Sequence, residues 1–388
     1  MAVAAKTKVA KPTAAEFMKT LVDKDDGKSG ILFVYGSDAG DEFFRPRYHV
    51  PTGNKMLDAI IGEGGFGTGR ISEIFGPNRS GKSEIAQRTV ANFLTTFEDG
   101  LAWYFDQELA LDEKKLAANP ILKSDRLTIG FCDTIQKLFA KVEKLLVKIK
   151  EAKYDIPILI VIDSIAVMES DAQAKKQIGE VQQPGSGAKA VSEALRKIKP
   201  IIQGTHAHLM VINQRRKAIG GDPYAEDESP MGEALKFACD YRIHVEQYMQ
   251  FWFRDADKTN KLPPDGFYIL AHTIKNKRVP PNRKVWLVIL YHPMHGGLND
   301  EWSAWRLFHK ELKWFGGGSG NYTLRVGPHK TDDLLRFKRP EWPTIYKTEA
   351  VRIGTRIREW EDRIMLRGEM NITEVEEGEE PADDADEE

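Results

Sequence analysis

The chain has 388 residues, 41% hydrophobic and 29% charged, which supplies a large core and argues against global disorder. Its net charge of −2 hides an uneven distribution: from Glu374 to Glu388 ten of fifteen residues are acidic and none is basic, while the rest carries 56 basic against 48 acidic side chains, a net +8. Two cysteines, Cys132 and Cys239, cannot build a disulfide framework or a four-thiolate zinc site, no apolar run approaches the ~18 residues of a membrane span, and the first residues lack the apolar core of a secretory signal.

A basic body with an acidic tail points to a polyanion partner and an internal competitor for it. In chain order, residues 1–49 read as a docking arm, too small to fold alone. It holds a short amphipathic helix near Ala14–Val22, presenting Phe17, Met18 and Leu21, and a strand at Ile31–Tyr35. Residues 50–299 alternate. Apolar runs suited to strands occur at Ile71–Phe75, Leu101–Phe105, Ile158–Ile162 and His208–Ile212, with helical patterns between them. The clearest helix is Thr134–Lys150, whose stripe is Ile135, Leu138, Phe139, Val142, Leu145, Leu146 and Ile149. This alternation predicts an α/β fold with a mostly parallel central sheet. Tyr241–Val245, Phe267–Ile274 and Val285–Tyr291 lack long helical spacers and read as antiparallel strands added at its edge. Two polar, Gly/Pro-rich loops interrupt the rhythm, at Ile178–Ala188 and Arg215–Gly232. Residues 300–373 read as a small C-terminal domain rich in Trp and basic residues, and 374–388 as a disordered acidic tail.

The segment Gly76-Pro77-Asn78-Arg79-Ser80-Gly81-Lys82-Ser83 fits G-x-x-x-x-G-K-[ST]. It lies between a strand and a helix, as that phosphate loop requires. Glycines let backbone N–H groups approach phosphate oxygens, and the helix N-terminus adds a favourable dipole. Lys82 is expected on the β- and γ-phosphates of ATP, and Ser83 on Mg²⁺. Asp163, ending the run PILIVID, is either a second Mg²⁺ ligand or a helix cap. Just past the strand Leu101–Phe105 come Asp106, Glu108 and Asp112. Any of the three suits the base that polarises an attacking water, and an exposed acidic turn is the plainer account.

From about Gly27 to Gly297 the order and spacing of these segments resemble the RecA family of recombination ATPases, bacterial or phage type. The resemblance rests on Gly27-Lys28 before ILFVYG, on Pro51-Thr52-Gly53, on GEGGFGTGRISEIFGP, and on FDQELALD (Phe105–Asp112). It implies a RecA-like phosphate-loop ATPase core with an N-terminal oligomerisation arm and a small C-terminal domain. Glu108 is then the base and Asp112 lies near adenine, while Lys115 stands where the family usually has an aromatic residue. Asn213-Gln214 resembles the family's γ-phosphate sensor. Lys236, Phe237 and Arg242 fall in a segment that meets the neighbouring subunit. Lys275 and Lys277 resemble the lysine pair that reaches the neighbour's ATP, although KNK alone is an ordinary solvated turn. The two loops resemble the family's DNA-binding loops, with Gly185, Lys189 and Arg196 at the first and Arg215, Arg216, Lys217 and Gly232 at the second. Their cations would neutralise phosphates.

The implied activity is ATP-dependent filament formation on single-stranded DNA, homologous pairing with double-stranded DNA and strand exchange, with DNA-dependent ATP hydrolysis at subunit interfaces. The implied partners are DNA, further copies of the chain in a helical filament, and single-strand-binding and loader proteins. The implied place is the cytoplasm, on the nucleoid of a bacterium or phage-infected cell. A hexameric helicase or translocase built on the same core, and an accessory paralogue that loads another recombinase, are the alternatives. In the C-terminal region Arg336, Lys338, Arg339, Arg352, Arg356 and Arg358, with Trp302, Trp305, Trp314 and Trp342, suit either duplex capture or core packing.

Overall fold

The computed structural model describes residues 45–111, 124–176, 185–215, 231–253, 258–259, 261–291, 296–318, 320–326 and 334–367. The expected arm helix and strand, Asp112, Lys115, Arg216, Lys217 and the acidic tail lie outside them. By its contacts the chain separates into residues 1–47 and 48–388, and the second unit is the one described below. Among the described residues no helix is long and apolar enough to cross a membrane.

Nine strands form the central sheet. They are β3 (Arg70–Gly76), β4 (Leu101–Asp106), β5 (Leu127–Gly130), β6 (Ile158–Asp163), β7 (Ala207–Gln214), β8 (Tyr241–Phe251), β9 (Gly266–Asn276), β10 (Arg283–Leu290) and β11 (Gly297–Asn299). Their order is β11-β10-β9-β8-β3-β7-β6-β4-β5. The pairs from β8 through β3, β7, β6 and β4 to β5 are parallel, and β8 to β11 pair antiparallel. A two-stranded ribbon, β1 (His49–Val50) with β2 (Phe66–Gly67), precedes the sheet.

One expectation is corrected here. The segment beginning at Tyr241 is not antiparallel to the core. It lies parallel to β3, Ser72 opposite Tyr241 and Phe75 opposite His244. Between β7 and β8 the sequence leaves room for a crossover, whose described helix is the short α6 (Gly232–Ala238). A parallel partner needs such a crossover, and this helix is too short to stand out as a helical period.

Helices α1 (Lys55–Ile61), α2 (Lys82–Thr96), α3 (Ile135–Glu151), α4 (Asp171–Ala174) and α5 (Ser186–Gln203) complete the core. In α3, Thr134 caps the start by accepting from the Lys137 amide, and Ile135, Leu138, Phe139, Val142, Leu146 and Ile149 are buried. That stripe packs with the inward face of α5 and with one side of the sheet. The other side of the sheet packs on α1 and α2.

The described residues between Asp300 and Arg367 share that second core. Helices α7 (Asp300–Arg306), α8 (Trp342–Thr348) and α9 (Ala350–Arg367) flank a three-stranded sheet of β12 (Phe315–Gly318), β13 (Asn321–Arg325) and β14 (Leu334–Lys338). Trp305, Trp342, Trp360 and Ile364 share a single apolar cluster with Met56, Ile60 and Phe93.

His208, in the middle of β7, is fully buried. Its Nδ1 lies 2.9 Å from the Gly67 carbonyl and its Nε2 2.8 Å from Ser72 Oγ. Desolvation pulls its pKa down to about 4. The folded chain therefore keeps this imidazole neutral, while the unfolded chain takes up a proton near pH 6.5. Stability contributed by His208 is present above that value and is lost as pH falls from about 6.5 towards about 4. His208→Gln should flatten the pH dependence of the melting temperature across that window; an unchanged slope would show that another group sets it.

Candidate nucleotide and metal site

The phosphate loop runs from the end of β3 into α2. Gly76 is required by close approach, since a Cβ there would lie 1.9 Å from the Val245 carbonyl oxygen on β8. Gly81, with φ of 83°, turns the chain into α2. Asn78 and Arg79 are exposed, whereas Ser80 and Lys82 are buried. Lys82 Nζ donates to the Pro77 carbonyl at 2.6 Å and lies 3.4 Å from Ser80 Oγ. Burial lowers the Lys82 pKa, and the carboxylates of Glu108 and Asp163 act against that shift. A desolvated ammonium facing two carboxylates is a site arranged for anions bridged by cations.

Asp163 ends β6 and is buried. Its Oδ2 accepts from the Tyr104 hydroxyl at 2.5 Å. Burial raises its pKa, the Tyr104 and Ser83 hydroxyls lower it, and the charges of Glu108 and Asp106 raise it again. Its Oδ1 is buried without a hydrogen-bond partner. An orphaned carboxylate oxygen normally needs explaining, and a cation answers that need. Among the described residues no group of three or more His, Cys, Asp or Glu forms a protein cage. One carboxylate and one hydroxyl suit Mg²⁺, which usually keeps waters and takes its other ligands from substrate phosphates.

Of the three acidic residues at and beyond the end of β4, two are described, and they differ. Asp106 is buried, and its Oδ2 accepts from the Leu111 amide at 2.9 Å, so it is a turn-forming group. Glu108 is exposed. Its Oε1 accepts from Ser164 Oγ at 2.6 Å and from Gln214 Nε2 at 3.3 Å. Asp112 lies outside the described residues. Thus Lys82, Ser83, Asp163, Glu108 and Gln214, drawn from four parts of the chain, are brought together.

Gln214 is set in place from behind. The neighbouring Asn213 donates to Glu73 Oε1 at 2.9 Å, and Arg242 Nε donates to Glu73 Oε2 at 2.6 Å. The Glu73 side chain is wholly buried, and the Arg242 guanidinium lies 4.7 Å from the Phe75 ring centre. Arg242, expected in a segment that meets the neighbouring subunit, is buried within this chain. A buried glutamate in the middle of β3 needs a cation, and Arg242 supplies it across the parallel pair. Glu73, Ser164 and Tyr104 are the positions that sequence reasoning missed. Their one visible signal is polarity inside or beside apolar strand runs.

The other predicted residues fall elsewhere. Lys275 Nζ donates to the carbonyls of Lys236 (2.6 Å) and Phe237 (3.3 Å) at the end of α6. Lys277 Nζ lies 3.2 Å from Asp240 Oδ1. Desolvation first, then the nearby Lys277 charge, lowers the Lys275 pKa. Lys236 pairs with Glu233 at 2.6 Å, and Phe237 is 70% exposed. Lys189 and Arg196 are exposed two turns apart on α5. Arg215 Nη1 reaches Glu246 Oε1 at 3.4 Å. The C-terminal ends of the two loops lie together: a Cβ on Gly187 would meet Met231 Sδ at 3.3 Å, and one on Gly232 would meet Ala188 Cβ at 3.1 Å. Gly185 and Gly232 flank that junction, both with positive φ.

Comparison with known proteins agrees with this geometry. Residues 15–295 match the RecA N-terminal domain model. The chain is 30% identical to Protein RecA of Borrelia duttonii over 319 residues, 81% of this chain and 83% of that one. It is 32% identical to Protein RecA of Borrelia hermsii strain HS1 / DAH over 314 residues, 79% and 81% of the two chains. It is also 32% identical to Protein RecA of Arthrobacter sp. strain FB24 over 297 residues, 76% and 78%.

The Glu73–Arg242 pair is a test of the core assignment. Arg242→Met should cost about 3–5 kcal/mol, because it strands a buried carboxylate. Adding Glu73→Gln should recover most of that loss in chemical denaturation. A single variant as stable as the parent would mean that Arg242 spends its time at the surface.

Proposed function

The chain belongs to the RecA family, and on that premise we propose that it is an ATP-dependent DNA recombinase, which assembles on single-stranded DNA and exchanges strands with a homologous duplex. The observation that carries this reading is Glu108, whose Oε1 is shared by Ser164 and Gln214 beside Lys82. A carboxylate held in this way suits a base for the water that attacks the γ-phosphate. Gln214 is the last residue of β7, and the chain passes from it into the second candidate DNA loop. An amide both donates and accepts. A change at Glu108 when ATP is present is thus transmitted to the loop through one side chain.

Each residue has a defined task in this reading. Lys82 and the loop amides bind the β- and γ-phosphates. Ser83 and Asp163 would hold Mg²⁺, whose chemistry is to neutralise charge on the phosphate oxygens. Lys189, Arg196 and the basic residues opening the second loop neutralise the DNA backbone, so binding weakens as salt rises. Lys275 and Lys277 complete the ATP site of a neighbouring subunit. To do so they exchange their contacts with the α6 carbonyls and Asp240 for phosphate oxygens. Positioning and charge stabilisation account for the catalysis, with no covalent intermediate on the protein.

A hexameric motor shares most of these parts, and electron microscopy separates the two. With single-stranded DNA, Mg²⁺ and a non-hydrolysable ATP analogue, the recombinase gives continuous helical filaments; discrete rings would favour the motor, and bare DNA an accessory role. Lys82→Ala should abolish ATP-dependent DNA binding. Glu108→Gln should lower ATP turnover by about 10²–10⁴-fold while filaments with ATP persist. Turnover at the parental rate would move the base to another residue.

A further inference from the structure

Tyr104 is a polar residue of β4 to which the reading above assigns no task. Its side chain is 3% exposed. A phenol has a single donor, and here that donor goes to Asp163 Oδ2 at 2.5 Å. Strands β4 and β6 are parallel neighbours, with Tyr104 opposite Val161. The phenol therefore reaches along β6 to the carboxylate two residues further on. The side chain of Gln87, on α2, approaches the same phenol.

The consequence is that the two oxygens of Asp163 are not equivalent. Oδ2 is taken by the phenol, and Oδ1 is buried without a partner. Rotation about χ2 of an aspartate is soft, so a carboxylate alone at a strand end does not choose which oxygen it offers. One short hydrogen bond makes that choice. Phenylalanine at this position would fill the strand core equally well and would not make it.

We propose that Tyr104 is a positioning residue for the metal that accompanies ATP: it holds Asp163 Oδ2 and so leaves Oδ1 to Mg²⁺. This rests on the assignment of Asp163 to the metal in the preceding section. The competing account is that Tyr104 is a core residue whose hydroxyl takes the nearest acceptor. In that case its loss moves stability and leaves the metal alone.

The test uses the full chain and a fluorescent ATP analogue, titrated with Mg²⁺ and separately with Mn²⁺. Outer-shell partners of metal ligands are commonly worth 10–100-fold in metal affinity, so Tyr104→Phe should raise the half-saturating Mg²⁺ concentration by about that factor. Its binding of the analogue in EDTA should stay within about twofold of the parent, a shift of less than ~0.5 kcal/mol. Asp163→Asn should raise the metal requirement further, and Tyr104→Phe added to it should have no further effect. A metal requirement that moves in Asp163→Asn but not in Tyr104→Phe overturns the proposal and leaves the metal assignment standing. If it moves in neither, both fall. If Tyr104→Phe loses binding in EDTA as well, the phenol shapes the phosphate loop and the proposal is overturned.

Discussion

The site depends on the register of the parallel strands. Gly76 stands opposite Gln214 across β3 and β7, and Asp106 stands opposite Asp163 across β4 and β6. Four strands thus deliver the phosphate loop, Gln214, the candidate metal ligand and the turn that carries Glu108 to one edge. Register is fixed by burial on both faces. Ile74, Leu159, Val161, Met210 and Ile212 belong to the core beneath α1 and α2, while Ile71, Ile158, Ile160, Leu209 and Val211 belong to the core beneath α3 and α5. A slip by one residue would exchange these two sets and send each chemical group to the wrong face. The apolar core therefore specifies the chemistry as strictly as the polar residues do.

Within that frame the charged groups are arranged at a cost. Lys82 and Asp163 are buried, and desolvation moves each pKa toward its neutral form. Glu73 is deeper still and is kept by Arg242 and Asn213. Such groups weaken a fold unless they are paired. Their advantage is preorganisation: dipoles and charges already in place need no rearrangement when phosphate charge develops. The pairing also has a direction. Glu73 fixes Asn213, Asn213 precedes Gln214, and Gln214 meets Glu108. An ion pair inside the sheet thereby supports the group exposed at its edge.

Much of the fold was legible because its signals are local. Four apolar runs became β3, β4, β6 and β7, and six of the seven stripe residues of α3 are buried. The phosphate loop was legible for the same reason, since its glycines and lysine lie within eight residues. What could not be read is what depends on partners distant in sequence. The parallel pairing of β8 goes with a crossover whose described helix is the short α6. The inward turn of Arg242 is decided by Glu73, 169 residues away. Spacing alone did not choose among Asp106, Glu108 and Asp112; the contacts that Ser164, just past β6, and Gln214, at the end of β7, make to Glu108 were not visible in it. The short β5, β11, β12, β13 and β14 were missed, because a strand of three to five residues has too few alternations to show a period.

The C-terminal region shows how one composition divides between two uses. Its tryptophans read equally well as core or as a binding surface. Trp342 is fully buried, and its indole donates to the Glu301 carbonyl at 2.6 Å. Trp305 meets Tyr322, Phe315 and Trp342 with ring centres 4.8–5.8 Å apart. Trp314 is covered by Arg356 at 4.1 Å. These rings are occupied by packing, so they offer no platform on which bases stack. The cations divide as well: Arg339, Arg352 and Arg356 are half-buried, while Arg336, Lys338 and Arg358 are exposed. A duplex bound here would meet charge without stacking, and charge alone recognises the phosphate backbone and not the sequence.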